Sequence, residues 1–194
     1  MKSKKTIIIC ALVTILILGG VISGVSLLFN HPLRIEKPTF IYIDRDDTAD
    51  SVYVKLQRDL NATHLTGFKM LARLKKYDQQ IHSGAYRFDA SINTLTLFRR
   101  LSSGHQTPVK VVIPSVRTLS RLARSLDRQL MPDSTEFARL VGDSAFCASL
   151  GFSLETMPAL CIPNTHQAYW TTDAEAFIQR KKKEYERFWT QERK

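Results

Sequence analysis

The first pattern along the chain is a block without charge. From Thr6 to Phe29 there is no Asp, Glu, Lys or Arg. As a helix that stretch is about 36 Å long, against a bilayer core of about 30 Å. Lys2, Lys4 and Lys5 precede it, while only Arg34 and Lys37 follow closely, with Glu36 between them. The asymmetry predicts a retained membrane helix over 6–29, with residues 1–5 as a cytoplasmic tail and the bulk of the chain outside. A cleaved signal peptide would share the basic start, but its apolar region is usually about 7 to 15 residues and ends at a small-residue site. Cys10 lies within the first turns of the run and not behind it, so it reads as a small apolar residue and not as a lipid-attachment cysteine.

Beyond this block the apolar period changes. Residues 30–38 read as a linker punctuated by Pro32 and Pro38, and Phe40 to Ile43 (FIYI) as a strand. After a polar turn at 44–50, Val52, Leu56 and Leu60 recur at the helical spacing. Thr66 as a candidate N-cap, with Phe68, Leu71 and Leu74, predicts a second helix over 66–76, and GAYRF predicts a strand at 84–88. The order over 39–89 is strand, helix, helix, strand. Further on, Ser91 is placed to cap a helix carrying Leu95, Phe98 and Leu101 and ended by Gly104; VKVVI predicts a strand at 109–113. Leu119, Leu122, Leu126 and Leu130 stripe another helix, and Asp133 or Ser134 is placed to cap a short one through Phe137, Leu140 and Val141. Residues 142–171 read as irregular. Thr172 and Glu175 then fit a capping box that opens a last, highly charged helix with Ile178, Tyr185, Phe188 and Trp189. The class is α+β; the alternation is too uneven for a doubly wound sheet, and there is no Gly-x-Gly-x-x-Gly or P-loop.

Composition adds limits to this outline. With 194 residues, 44% hydrophobic and 24% charged, the chain has room for an anchor and one modest globular part, and two large domains are excluded. There are 28 basic against 18 acidic residues. That excess favours anionic partners, and export leaves acidic lipid surfaces and cell-wall polymers ahead of nucleic acid. The basic run Arg180 to Lys183 reads as a solvated helix face. Cys147 and Cys161 fall on the exported side, where a disulfide closing a short loop is permitted. Two cysteines alone cannot form a tetrahedral zinc site, and no metal or cofactor is expected.

Candidate chemistry concentrates in Cys161 to Trp170 (CIPNTHQAYW). Aromatic faces of Tyr169 and Trp170 suit stacking on sugar rings, and Asn164, Thr165 and His166 supply the few placed hydrogen bonds a polar ligand needs. The same residues also fit a polar turn beside two half-buried aromatics, and both readings stand at this point. Scattered histidines and serines define no Ser-His-Asp order. Glu155, Glu175, Glu184, Glu186 and Glu192 are the carboxylates that a general acid would be drawn from, but the last four lie on the charged helix face, where solvation is expected; His64 and His105 read as surface or turn residues.

Three stretches together carry a resemblance: KYDQQIHSGAYRF with Gly84 and Tyr86; NTLTLFRRLSSGHQTPVKVVIP with Gly104, Gln106 and Pro108; and IPNTHQAYW followed by EYERFWTQER. In these the chain resembles the YceG-like endolytic murein transglycosylases, the MltG group, in its Bacteroides-type form. The resemblance implies an inner-membrane, single-pass enzyme with a LysM-like subdomain at 39–89 and the beginning of a mixed α/β catalytic domain at 90–194. Its substrate would be peptidoglycan glycan strands, with Asn164, Thr165, His166, Tyr169 and Trp170 on the substrate side and cell-wall synthesis proteins as further partners. In that family a glutamic acid protonates the glycosidic oxygen while the N-acetylmuramic acid C6 hydroxyl closes on its own anomeric carbon, leaving a 1,6-anhydro end. One carboxyl group suffices, unlike the pair of ordinary glycosidases. Two departures stand out. His166 occupies the place of an aromatic Tyr, and no Ser-Ile-x-x-x-Glu-Thr-like segment bearing the catalytic glutamate occurs in 1–194. The chain is therefore expected to be the anchor and front part of such an enzyme, or a truncated form of it, without a catalytic residue of its own. The alternative is a noncatalytic membrane-anchored module for glycan binding or cell-wall assembly.

Overall fold

The uncharged block forms α1 (Lys2–Asn30), helical throughout because Leu, Ile and Ala carry it past its three glycines. A computed structural model describes residues 2–30, 32–35, 37–62, 65–89, 91–115, 118–132 and 134–191, the side chains of 2–11, 25, 27, 28, 34 and 134 excepted. Among the described residues no helix is long and apolar enough to cross a membrane, so the span expected over 6–29 is not shown. The continuous run of described side chains in α1 is residues 12–24, about 20 Å of helix. Within it Leu12, Ile15, Leu16 and Ile22 are all more than half exposed.

The α+β class holds, with eight α-helices and three two-stranded sheets among the described residues. Two compact units form, Met1–His82 with Tyr86–His105, and Ser83–Ala85 with Gln106–Lys194. The division falls beyond the expected boundary at 89/90.

In the first unit, β1 (Pro32–Arg34) lies inside the expected linker. Leu33 and Ile35 are buried, and pairing with a later strand turns this Pro-flanked segment into structure. β2 (Thr39–Ile43) buries Ile41 and Ile43 in alternation. α2 (Ala49–Leu60) begins at a reciprocal cap: Thr48 Oγ1 accepts from the Ser51 N–H and Ser51 Oγ from the Thr48 N–H. Val52, Leu56 and Leu60 form its buried stripe as expected. α3 (Thr66–Leu74) has Thr66 as its first residue and no side-chain cap. Phe68, Leu71 and Ala72 face the core, whereas Leu74 is 72% exposed, because six residues after Phe68 the helix has turned it away. A 3-10 turn at Tyr77–Gln79 leads to β3 (Gly84–Phe88), which pairs with β2. The order strand, helix, helix, strand is thus observed. Ser91 caps no helix: it opens β4 (Ser91–Asn93), antiparallel to β1 with Leu33 opposite Ile92. Asn93 is the cap of α4 (Thr94–Ser102), its Oδ1 accepting from the Thr96 N–H at 2.8 Å. Leu97, Phe98 and Leu101 of α4 belong to the same buried cluster as Phe68 and Tyr77, which places α4 with the first unit.

The second unit is built on β5 (Val109–Ile113), where Val109, Val111 and Ile113 alternate inward. α5 (Leu119–Asp127) buries Leu122, Ala123 and Leu126; Leu130 is also buried, though beyond the helix end. α6 (Ser134–Gly142) brings Phe137 inward, while Asp133, the other proposed cap, lies outside the described residues. The stretch 142–171 is far from irregular. α7 (Ser144–Ser149) is capped by Asp143, a 3-10 segment follows at Met157–Leu160, and β6 (Asn164–Ala168) pairs antiparallel with β5. Cys147 and Cys161 are free thiols; Cys147 is buried, with Sγ 3.3 Å from the Val141 carbonyl, so no disulfide closes this region. α8 (Ala174–Gln191) ends the described chain. Thr172 does not open it, since its hydroxyl donates to the Tyr169 carbonyl at 2.6 Å; Asp173 caps α8 by accepting from the Ala176 N–H at 3.4 Å.

Candidate functional site

Five residues were expected to act together, and β6 separates them. Asn164, Thr165 and His166 are not a turn but the first three residues of a strand, opposite Ile113, Val112 and Val111 of β5. Their propensity for extended structure is poor. What makes the strand is a partner: a Val-rich β5 already committed to its inward face offers a free ladder of N–H and C=O groups. Alternation then sends side chains to two faces. Thr165 and Gln167 are exposed with Lys110 and Val112, while His166 and Ala168 turn toward the interior with Val111 and Val109.

The exposed positions keep the polar character of the prediction, Thr165 on the outer face and Asn164 at the strand's end, on the His166 side of the alternation. Asn164 is exposed, and its Oδ1 accepts from the Thr165 N–H at 2.7 Å. Tyr169, directly after β6, is 55% exposed. Trp170 is half-buried, and its carbonyl accepts from the Met131 N–H at 2.8 Å, which ties this segment to the chain after α5. Asn164, Thr165 and Tyr169 are therefore surface groups, and His166 and Trp170 face or border the packed interior.

Beneath β6 lies a charged arrangement that the sequence reading missed. His166 Nε2 is 3.3 Å from Glu184 Oε2. Lys181 Nζ donates to the same Glu184 oxygen at 2.7 Å, and Arg180 Nε sits 3.5 Å from the other one. Arg180 also donates to the Gln167 carbonyl at 3.0 Å, which fastens α8 to β6. Lys181 is 2% exposed although expected on a solvated face. Burial pushes its ammonium below the usual lysine range, against the opposing pull of Glu184. Burial also lowers His166, helped by the Lys181 charge, so the ring is neutral near pH 7. Its contact with Glu184 is at salt-bridge distance but lacks hydrogen-bond geometry. Burial raises the Cys161 thiol to about 11, so it carries no thiolate for chemistry. The spacing i, i+3 between Lys181 and Glu184 was legible; that this pair faces inward was not.

The loop from β6 to α8 is held from a second side. Gln106 donates through Nε2 to Thr171 Oγ1 at 3.0 Å, and the hydroxyl lies 3.2 Å from Gln106 Oε1. A Cβ on Gly84 would lie 2.4 Å from Gln106 Cγ, so a side chain there would displace the glutamine and loosen Thr171. Thr107 N–H adds a bond to the Ala85 carbonyl at 2.8 Å. Gly84 and Gln106, from two separate stretches of the sequence, thus both support the segment bearing Tyr169 and Trp170. The apolar space under this face, bordered by Leu126, Phe177, Cys161 and Lys181, measures about 10 Å³, no more than one water. It is packed core.

No curated protein matches this sequence. Among solved structures, a crystal structure of a yceG-like protein from Listeria monocytogenes is similar, at 16% identity and a TM-score of 0.44, over 81% of this chain. The chain spans 57% of the length of that structure. The YceG-like family matches residues 41–194, which covers most of both compact units, and the chain belongs to that family.

Proposed function

We propose that this chain is the membrane-anchored, glycan-engaging part of a peptidoglycan lytic transglycosylase of the endolytic kind, which cuts strands to leave 1,6-anhydro-N-acetylmuramic acid ends. The observation that carries this reading is the polar edge of β6: Asn164, Thr165 and Tyr169 are all exposed within one short segment of the family-matched region. An exposed ring in the same segment as exposed amide and hydroxyl groups suits the alternating apolar and polar faces of amino sugars. Glu184, which meets this segment through His166, is engaged by Lys181 and Arg180 in a structural ion-pair cluster. The role assigned to residues 164–170 is therefore binding and orientation, with proton donation to the glycosidic oxygen left to a glutamic acid outside this site.

The strand, helix, helix, strand order over β2 to β3 supports a LysM-like role for the first unit. Attachment to the inner membrane through residues 6–29, with the remaining chain in the periplasm, belongs to the same proposal. It rests on the uncharged block and on the exposed apolar side chains of α1. The engagement of Glu184 also favours a second reading, a noncatalytic anchored module that binds glycan for cell-wall synthesis proteins. One experiment addresses both. The full chain in detergent, incubated with peptidoglycan, is expected to be retained on the polymer and to release no 1,6-anhydro fragments by mass spectrometry. Absence of retention would sink the glycan reading, and reproducible anhydro products would overturn the assignment of the acid to another segment.

A further inference from the structure

On the far side of Val112 from β6, the second unit carries an open groove of about 760 Å³ between the end of β5 and helix α5. Arg121, Arg124 and Arg128 line it, at spacings of three and four that put them on one face of α5 and its C-terminal cap. Val112, Ser115 and Gln129 contribute the remaining wall used here, and no carboxylate lines it. Among the described residues none of the three arginines has an ion-pair partner; Arg124 donates only to the Ser120 carbonyl, at 3.3 Å. Gln129 fixes the floor: its Oε1 accepts from the Val112 N–H at 2.7 Å and its Nε2 donates to the Val112 carbonyl at 2.9 Å, so where the groove meets β5 the backbone edge is already satisfied at Val112. The groove therefore does not await another strand. What it lacks is negative charge.

Three unpaired guanidinium groups spread over about 10 Å of helix match a ligand with several separated carboxylates, because each planar fork can grip one carboxylate through two parallel bonds. Position narrows the ligand. Val112 lines the groove and is the register partner of Thr165, so a single strand, β5, separates the arginines from the strand that bears Asn164 and Thr165. We propose that the Arg121, Arg124 and Arg128 groove receives the acidic peptide stems carried by the glycan strand, while the β6 edge receives the sugars. This rests on the glycan reading of β6 and adds a second, electrostatic subsite that selects strands still bearing their stems.

The test uses the full chain in detergent and four probes: a synthetic stem peptide with free carboxylates, the same peptide with its carboxylates amidated, glycan strands stripped of stems by an amidase, and inorganic polyphosphate. Wild type should bind the free-acid peptide and the stripped glycan. The triple variant Arg121→Gln, Arg124→Gln, Arg128→Gln should bind the acidic peptide about tenfold more weakly or worse, with stripped glycan unaffected. All three side chains are exposed, and an unchanged melting curve confirms that the variant is folded. Equal peptide binding by wild type and variant would overturn the proposal, as would equal binding of the amidated peptide. Tighter binding of inorganic polyphosphate than of the acidic peptide would overturn it too, in favour of a phosphate polymer. Failure to bind stripped glycan, with arginine-dependent peptide binding intact, would instead count against the β6 reading alone.

Discussion

The two compact units bury their centres by different means. In the first, Phe68 sits at the middle of an aromatic cluster, with ring centroids 5.8 Å from Tyr53, 6.0 Å from Tyr77 and 5.6 Å from Phe98, all near edge-on. The Tyr86 hydroxyl is also satisfied, donating to the His82 carbonyl at 2.9 Å, and burial pushes its pKa up to about 12. The second unit has Phe137 edge-on to Phe177 at 6.0 Å, but it also encloses Lys181 and the Glu184 to which it donates. Apolar closure stabilises without conditions, whereas an enclosed charge depends on its partner and on pH. The first unit carries an ion pair as well, Lys55 with Asp44 and Asp47 at the start of α2, but its lysine side chain is 18% exposed against 2% for Lys181, so the deeper enclosed charge is in the unit that holds the polar β6 edge.

Several substitutions test that contrast, beginning with the most severe. Phe68→Ala removes the hub of the aromatic cluster and should cost about 3 to 5 kcal/mol. The loss should appear as a lower melting midpoint at every pH from 5 to 8. A loss that varied strongly with pH would show that the first unit also depends on charge.

Glu184→Gln leaves Lys181 enclosed with a weaker acceptor. A fully buried pair broken from one side costs about 3 to 5 kcal/mol, and the side chain of Glu184 is 30% exposed, so about 2 kcal/mol is expected. Lys181→Met removes the enclosed charge itself and keeps the volume, so it should stay within about 1 kcal/mol of wild type or stabilise. Denaturant unfolding of both variants decides the matter. If Lys181→Met proves as damaging as Glu184→Gln, the ammonium contributes more than its desolvation costs and the contrast between the units narrows.

The next effect is smaller and lies in the pH profile. Burial first, then Lys181 and Arg180, hold His166 below its ordinary value, with Glu184 opposing. The unfolded chain thus binds a proton at higher pH than the folded one. The stability is complete above the ordinary histidine pKa of about 6.5 and is lost as pH falls through that value toward the lower folded one. Melting midpoints between pH 7.5 and 5.0 should therefore fall less steeply for His166→Gln than for wild type. Identical slopes would mean that His166 keeps its ordinary titration in the fold.

These features differ in how far the sequence disclosed them. α2 and β5 are legible because Val52, Leu56 and Leu60 repeat at the helical period and Val109, Val111 and Ile113 at the strand period, each against one core. β6 was hidden because Asn164 to Gln167 has no apolar alternation; its extended form comes from β5, more than fifty residues earlier. β1 and β4, three residues each, depend in the same way on finding one another. The caps failed for a local reason: Asn93 and Asp173 outcompete Ser91 and Thr172 by position, each standing three residues before the N–H it accepts from. Asn164, Thr165 and Tyr169 were legible as surface polar and aromatic groups. His166 was not, because one step along a strand reverses the face, and no turn reading contains that alternation.

The mildest substitution bears most directly on function. Asn164 is exposed, and its side chain makes only the local bond from its Oδ1 to the Thr165 N–H. Loss of so local a contact at a strand end should change stability by no more than about 0.5 kcal/mol. If the exposed amide meets a sugar hydroxyl or acetamido group, Asn164→Ala forfeits one neutral hydrogen bond, worth about 0.5 to 1.5 kcal/mol, and should weaken retention of stem-free glycan about three- to tenfold. Gln57→Ala, at an exposed position of α2 in the aromatic unit, serves as the matched change and should alter neither quantity. Unchanged glycan retention by Asn164→Ala, or a loss that appears only with a lowered melting midpoint, would return β6 to a purely structural role. The two units would then differ in how they are stabilised and not in what they bind.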